Sequence, residues 1–145
     1  MHNLDAKGRL AVPAKYREEL DLCCASRLVL TVDRDHCLLL YPEPEWFEIE
    51  RKLSALPSFN PKARALQRLY IGHATEVQMD AQGRILLAPK LTAYAGIDKR
   101  VAVVGQGKKF EIWDEEAWDL KTNEALNDDD LKGLENDAGI GTLTI

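Results

Sequence analysis

Several features that would place a protein in a special class are scarce or missing from this sequence. Only three of its 145 residues are cysteines, and two of these are adjacent, so the chain lacks the pattern of a disulfide scaffold. No apolar run approaches the ~20 residues that cross a membrane, and Met1–Leu4 does not resemble the start of a secretory signal peptide. We therefore expect a protein of a reducing cytoplasm, without a membrane partner.

Metal-binding and catalytic patterns are also weak. The cysteines and the nearby His36 do not follow the spacing of zinc sites, in which paired ligands stand two to four residues apart, so Cys23 and Cys37 are expected to pack as small hydrophobic side chains. Asp5 and Asp80 could serve as an acid–base pair, but each has a structural explanation in a turn. No phosphate-binding loop is present. The sequence thus predicts no enzyme, metal, cofactor or small-molecule substrate.

What the sequence does contain is one pattern that occurs twice, 75 residues apart. Leu4–Pro13 and Met79–Pro89 both consist of an apolar residue, Asp, Ala, a long polar residue, Gly, Arg, an apolar run and Pro, with one additional residue before the second proline. Two copies of one pattern in a short chain indicate a duplicated structural unit.

Each copy predicts a tight turn followed by a short strand. The glycine permits positive φ, and the aspartate can accept hydrogen bonds from backbone N–H groups two or three residues further on. The apolar runs 10–12 and 85–87 then predict strands that end at the prolines. The residues concerned are Asp5 and Asp80, Gly8 and Gly83, and Arg9 and Arg84. Since Asp and Arg stand four residues apart across the turn, the simplest interpretation of one copy alone is a hairpin turn held by a salt bridge.

Around these turns the same order of elements is predicted in both halves: strand, turn, strand, short helix, and then two further strands. The predicted strands beyond the motifs are 28–32, 37–41, 74–79, 101–104 and 110–113. The helix after Pro13 places Tyr16, Leu20 and Cys23 on one face, and Gly96 ends its counterpart after Pro89.

Further helices follow each half. One opens at residues 42–45 and carries an apolar stripe, which favours self-assembly; the stripe consists of Trp46, Ile49, Leu53 and Leu56. Asn60 and Pro61 predict the cap and first residue of a basic helix that ends at Gly72. A last helix follows Asp114 and carries Trp118.

These elements divide the chain into four segments. They are a first repeat with its following helix (1–56), a helical linker (57–73), a second repeat with a C-terminal helix (74–126) and an acidic tail expected to be mobile (127–145). Residues 1–110 carry 17 Lys and Arg against 13 Asp and Glu, whereas residues 111–145 carry two against eleven. A mildly basic body with an acidic end suggests a nucleic-acid or interaction role, the alternative being a solubilising tail.

The duplicated arginines favour DNA as the partner. Two equivalent arginines on stiff turns, related by a pseudo-twofold axis, would form a symmetric pair of contacts, and arginine binds guanine O6 and N7 bidentately in the major groove. Phosphate contacts are expected from nearby cations. These cations are Lys7, Lys15, Arg17 and Lys90.

The paired Asp-x-x-x-Arg motifs at 5–9 and 80–84 resemble those of the MraZ family, bacterial transcriptional regulators with a tandem AbrB-like fold. The supporting stretches are Leu39–Pro42, Arg68–Ala74 and Phe110–Asp114, and the similarity covers roughly residues 3–125. The resemblance implies a mostly β (α+β) fold in which two swapped-hairpin repeats form one β-barrel within a single chain, with a helical linker and a C-terminal helix. Because family members carry several more residues before the first motif, we expect the strand entering the first turn to be short here.

The resemblance also implies a function. Family members are DNA-binding repressors of the division and cell-wall gene cluster, act at short G-rich direct repeats in the promoter, and assemble into rings. The corresponding expectation is a nucleoid-associated homo-oligomer that contacts double-stranded DNA through Asp5, Arg9, Asp80 and Arg84. The alternatives are an AbrB-type antitoxin-like regulator and an oligomeric scaffold that does not bind DNA.

Overall fold

A computed structural model of the chain describes residues 2–127, which form eight strands and five helices. The strands are β1 (His2–Asn3), β2 (Arg9–Ala11), β3 (Arg27–Val32), β4 (Leu38–Pro42), β5 (Thr75–Gln78), β6 (Arg84–Leu86), β7 (Arg100–Gly105) and β8 (Phe110–Asp114). The helices are α1 (Ala14–Cys24), α2 (Glu43–Ser54), α3 (Pro61–Tyr70), α4 (Pro89–Tyr94) and α5 (Glu115–Asn127). No helix within this range is long and apolar enough to cross a membrane.

The described residues fall into two compact units, 2–115 and 116–127. The first contains every strand and the helices α1 to α4, and the second contains nearly all of α5. The acidic tail predicted from the sequence lies, beyond Asn127, outside the described residues.

The two repeats in the first unit exchange strands. A six-stranded sheet has the order β1-β7-β8-β4-β3-β5, so β1 of the first repeat pairs with β7 of the second, and β5 of the second pairs with β3 of the first. Every pairing in this curled sheet is antiparallel. This arrangement confirms the predicted fold class, mostly β with short helices and two swapped-hairpin repeats in one chain. Within the described residues β1 has two residues.

The strands β2 and β6 form a separate antiparallel ribbon. Its register is Arg9–Leu86, Leu10–Ile85 and Ala11–Arg84. Leu10 and Ile85 hold the same position in their motifs, and Arg9 and Arg84 are placed symmetrically about them. The register therefore puts the pseudo-twofold axis between Leu10 and Ile85, at the centre of the ribbon.

One hydrophobic core joins the ribbon to the sheet. Its fully buried side chains come from both repeats and include Leu10, Ile85, Leu28, Leu30, Leu38, Leu40, Val101 and Ile112. Each large aliphatic side chain buried in this way contributes roughly 1.5–3 kcal/mol. Because the two repeats share this core as well as their strands, neither has a complete interior of its own.

The polar turn between β3 and β4 holds α3 and α4 in place. The Tyr70 hydroxyl donates to Oδ1 of Asp33 at 2.6 Å, and the Tyr94 hydroxyl donates to the Asp33 carbonyl at 2.8 Å. Burial and the Asp33 carboxylate raise the pKa of Tyr70. The predicted start of α3 is confirmed, since the Asn60 side chain accepts from the Lys62 N–H at 2.9 Å.

Two helical faces differ from the sequence-based expectation. On α1 the buried residues are Leu20 and Cys24, whereas Cys23 is exposed, so the prediction that Cys23 packs inside is wrong. The buried face of α1 follows the i, i+4 spacing from Leu20 to Cys24. Tyr16 packs edge-on against Phe110, with the centres of the two rings 4.9 Å apart. Cys37 is fully buried as predicted, and burial raises the pKa of its thiol to about 12.

The apolar stripe of α2 is the second difference. Trp46 is buried against the body of the protein, where its ring lies 5.6 Å from that of Tyr41. Ile49 and Leu53 are half-buried, and Leu56 lies beyond the end of the helix at Ser54. Only Trp46 of the stripe is fully buried, so the assembly that the stripe favours stays a prediction.

Candidate nucleic-acid interface

The first motif forms a tight turn, residues 5–8, which we call turn one. The Gly8 N–H donates to the Asp5 carbonyl at 3.0 Å, and Gly8 has a φ of +78°. Oδ1 of Asp5 accepts from the backbone N–H groups of Lys7 at 2.9 Å and Arg9 at 2.8 Å. The aspartate thus closes the turn from inside, as the motif predicts.

The second motif forms turn two, residues 80–83, with the same set of bonds. The Gly83 N–H donates to the Asp80 carbonyl at 3.0 Å, and Gly83 has a φ of +74°. Oδ1 of Asp80 accepts from the backbone N–H groups of Gln82 and Arg84, both at 2.9 Å. Each turn is also hydrogen-bonded to the chain that follows the other turn. The Val12 N–H donates to the Gly83 carbonyl at 2.9 Å, and the Leu87 N–H donates to the Gly8 carbonyl at 3.0 Å.

The salt bridges suggested by the motif are present in both turns. Nε of Arg9 donates to Oδ2 of Asp5 at 2.7 Å, and Nε of Arg84 donates to Oδ2 of Asp80 at 3.0 Å. Nη1 of Arg84 also lies 3.7 Å from Oδ2 of Asp5, which links the two turns. Each of these side chains remains about one-third exposed. Because Asp5 engages Arg9 through Nε, the Nη edge of Arg9 is left for other partners, whereas Arg84 directs Nη1 towards Asp5 and Nη2 towards Gln82.

Hydrogen bonds lower the pKa of both aspartates. The backbone N–H of Arg9 makes the largest contribution in lowering the pKa of Asp5, and that of Arg84 does the same for Asp80. Each ionised carboxylate offsets the charge of its arginine and fixes its position. The pair therefore holds a guanidinium in a defined geometry and adds little net attraction to a distant phosphate.

Both arginines project from the outer face of the ribbon. Leu10 and Ile85 point inward and are 1% exposed, so the alternation of a strand places Arg9 and Arg84 on the opposite face. Their diagonal register corresponds to a separation of roughly 7–8 Å along this face. Leu86 lies on the same face and is 54% exposed. The ribbon thus displays two fixed guanidinium groups beside an exposed apolar side chain.

The other predicted cations lie on turn one and on the helices α1 and α4 that follow the ribbon strands. Lys7 is exposed on turn one, Lys15 and Lys90 are exposed in the first turns of α1 and α4, and Arg17 is half-buried on α1. Nζ of Lys15 lies 5.0 Å from the centre of the Tyr16 ring.

Arg17 belongs to turn two, although in sequence it follows turn one. Its Nε donates to the Val12 carbonyl at 2.8 Å, and its side chain lies across Gly83 so closely that a Cβ at that position would collide with it. A Cβ at Gly8 would meet only the Leu87 carbonyl oxygen at an ordinary 3.7 Å. Spacing alone could not have assigned Arg17 to the second turn.

Two further residues of this surface were not identified from the sequence. Gln82 is exposed at the tip of turn two, and its Oε1 accepts from Nη2 of Arg84 at 3.3 Å. Leu86 was predicted as part of an apolar strand, but strand alternation alone already places it outward. Within residues 2–127, no group of three or more His, Cys, Asp or Glu side chains is placed to hold a metal ion.

The two halves of the chain also match known proteins separately. A family model described as "MraZ protein, putative antitoxin-like" matches the chain twice, over residues 1–69 and 70–136. The chain belongs to the MraZ family. Each MraZ match contains one of the two turns and its strand of the ribbon.

Individual MraZ relatives cover most of the chain. A protein of Thioalkalivibrio sulfidiphilus is 56% identical over 128 residues, which span 88% of this chain and 85% of the relative. One of Escherichia coli O9:H4 is 53% identical over 130 residues, 89% of this chain and 86% of the relative. Both relatives are named transcriptional regulator MraZ.

Proposed function

We propose that this chain is a sequence-specific, DNA-binding transcriptional regulator and not an enzyme, and that the outer face of the β2–β6 ribbon contacts the DNA. The observation that carries the proposal is the pair of arginines, each fixed by an aspartate and both facing outward from one ribbon. The names of the MraZ relatives support the same function.

The dimensions of the ribbon suit the major groove. That groove is about 12 Å wide and admits a two-stranded β-ribbon, and an arginine there can bind guanine O6 and N7 with two hydrogen bonds. Base pairs are stacked about 3.4 Å apart. Arginines separated by roughly 7–8 Å on the ribbon would therefore lie over base pairs about two steps apart. One chain then recognises only a short stretch of DNA.

The surrounding cations supply the affinity in this proposal. The phosphate contacts in this proposal are Arg17, which lies beside turn two, and Lys15 and Lys90, which stand at the starts of the helices that follow the ribbon. Contacts of this kind with phosphates position the protein without recognising sequence. The aspartates Asp5 and Asp80 act indirectly, by holding the arginines.

The MraZ resemblance extends the proposal to a repressor that acts on the division and cell-wall gene cluster, in the cytoplasm and at the nucleoid. Because one chain contacts few base pairs, G-rich direct repeats would be bound by several chains, which we propose assemble into a homo-oligomer larger than a dimer, such as a ring. Exposed apolar side chains available for this assembly include Phe59, which is 95% exposed, and Leu22, which is 80% exposed. Light scattering at micromolar concentration tests the assembly, and a monomer would refute it.

DNA binding is tested by selecting preferred duplexes from a random pool and then footprinting the chain on its own promoter region. The expected result is protection of repeated G-rich sites, with an affinity that falls as salt rises. A matched variant, Arg9→Ala combined with Arg84→Ala, should lose the selected preference. Absence of salt-dependent binding in a gel shift would refute the proposal and favour the scaffold alternative.

An antitoxin-like role is the second candidate, because the description of the matching family model includes that term. Such a regulator would bind a small toxin in addition to DNA. Co-purification of a small protein partner in stoichiometric amount would support this role, and a homogeneous preparation of this chain alone from its native host would count against it.

A further inference from the structure

The two turns share one backbone but present different side chains at their tips. The residue between Ala and Gly is Lys7 in turn one and Gln82 in turn two, and both are exposed. Lysine offers donors only, whereas glutamine offers an amide NH₂ and a carbonyl oxygen. The two halves of the proposed DNA-contacting face are therefore not chemically equivalent.

The position of Arg17 explains why turn two does not need a charged residue at its tip. The first motif carries Asp5, Lys7 and Arg9, a net charge of one positive unit. The second motif carries only Asp80 and Arg84, whose charges cancel, but the guanidinium of Arg17 lies across Gly83. The cation missing from the tip of turn two is thus supplied by α1, and the tip is free for a group that recognises bases.

The Gln82 side chain is oriented by its neighbour. Its Oε1 accepts from Nη2 of Arg84 at 3.3 Å, and Arg84 is itself held by Asp80. An amide offers a donor and an acceptor side by side, which matches N7 and N6 of adenine, whereas the donors of lysine match the acceptors O6 and N7 of guanine.

We infer that Gln82 is a specificity-determining residue, and that each chain recognises an asymmetric site in which turn one lies on a guanine and turn two on an adenine beside its arginine contact. This inference rests on the proposed function. The difference at the tips is reinforced on the ribbon, where exposed Leu86 stands in the position that Ala11 holds in the other strand.

The test is an exchange of the two tip residues. The preferred duplex of the wild-type chain is selected first, and affinities are then measured for every single base-pair substitution with wild type, Gln82→Lys, Lys7→Gln and the double exchange. Gln82→Lys should change the preference from adenine to guanine at one base pair, and the relative affinity for the two bases there should change on the order of tenfold. Lys7→Gln should make the opposite change at a different base pair.

The double exchange should restore most of the wild-type preference, because a site and its reverse complement are the same duplex. Gln82→Lys should fold, since Lys7 occupies the same position of an equivalent turn, and a thermal melt checks this. An unchanged base preference, with only tighter binding and a steeper salt dependence, would place Gln82 on a phosphate and overturn the inference. Failure of the wild-type chain to bind any duplex would instead refute the proposed function.

Discussion

Replacing Arg9 by alanine should separate the recognition of guanine from the electrostatic attraction to DNA. In the proposed complex the Nη edge of Arg9 binds guanine, a contact worth roughly 1–3 kcal/mol of discrimination, or about 5- to 150-fold in relative affinity. The turn should survive, because Oδ1 of Asp5 keeps its bonds from the backbone N–H groups of Lys7 and residue 9. Arg9→Ala also leaves Asp5 without its main partner, so the added negative charge should weaken binding to all sequences.

A charge-matched variant removes this ambiguity. Asp5→Asn with Arg9→Ala deletes both members of the pair, keeps the net charge, and retains an oxygen that accepts the backbone bonds. We expect this variant to keep the salt dependence of the wild type and to lose its preference for the selected site. Arg9→Lys should lose nearly as much preference, because lysine retains the charge without the planar fork.

Lys15→Ala is the complementary control. Because Lys15 is proposed to contact a phosphate, its loss should weaken binding to every duplex by the same factor, reduce the salt slope by about one and leave the sequence preference unchanged. The assay is competition binding of selected against scrambled duplexes at several salt concentrations, with a thermal melt of each variant. If the charge-matched variant retains the wild-type preference and melts normally, Arg9 does not contact the bases and the assignment of the interface is refuted.

Three further outcomes are expected. Deleting residues 128–145 should tighten non-specific DNA binding at low salt, because it removes acidic charge from a mildly basic body, and unchanged binding would argue against an electrostatic role. Hydrogen bonds lower the pKa of Asp5 in the folded chain. The ionised Asp5 carboxylate therefore stabilises the fold fully above the ordinary aspartate pKa of about 3.9, and this stabilisation is lost as pH falls through the lower folded-state pKa. The melting temperature of Asp5→Asn should accordingly fall less on acidification than that of the wild type. Gly83→Ala should destabilise more than Gly8→Ala by about 0.5–1.5 kcal/mol, because it also displaces Arg17 from its backbone hydrogen bond, and denaturant titration should find no such excess in an Arg17→Ala background.

The local features of this fold follow from the sequence. The Asp, Gly and Arg spacing of each motif determines a turn with one set of hydrogen bonds, and both copies adopt it. The predicted β strands lie within one or two residues of those observed, as at β3, where 28–32 was predicted and Arg27–Val32 is found. These predictions succeed because the interactions that decide them span only a few residues.

The features that were missed depend on contacts between distant residues. Which side of α1 faces inward is decided by the sheet beneath it, and for this reason Cys24 is buried where Cys23 was expected. Arg17 crosses to a turn more than sixty residues away in sequence, and periodicity contains no signal for such a contact. Gln82 is a different case: the aligned motifs already place it opposite Lys7, but it carries no charge and was therefore not singled out.

The exchange of strands has a consequence for biosynthesis. β1 pairs with β7, so His2 finds its partner Val101 only after about a hundred further residues have been made. At the usual rate of roughly 5–20 residues per second, the ribosome needs about 5–20 s to cover that distance. Until the second repeat has been made, β1, β2 and the outer edge of β3 have no partner strand. A nascent chain therefore cannot form the ribbon, and the two turns are brought together on one face only late in synthesis.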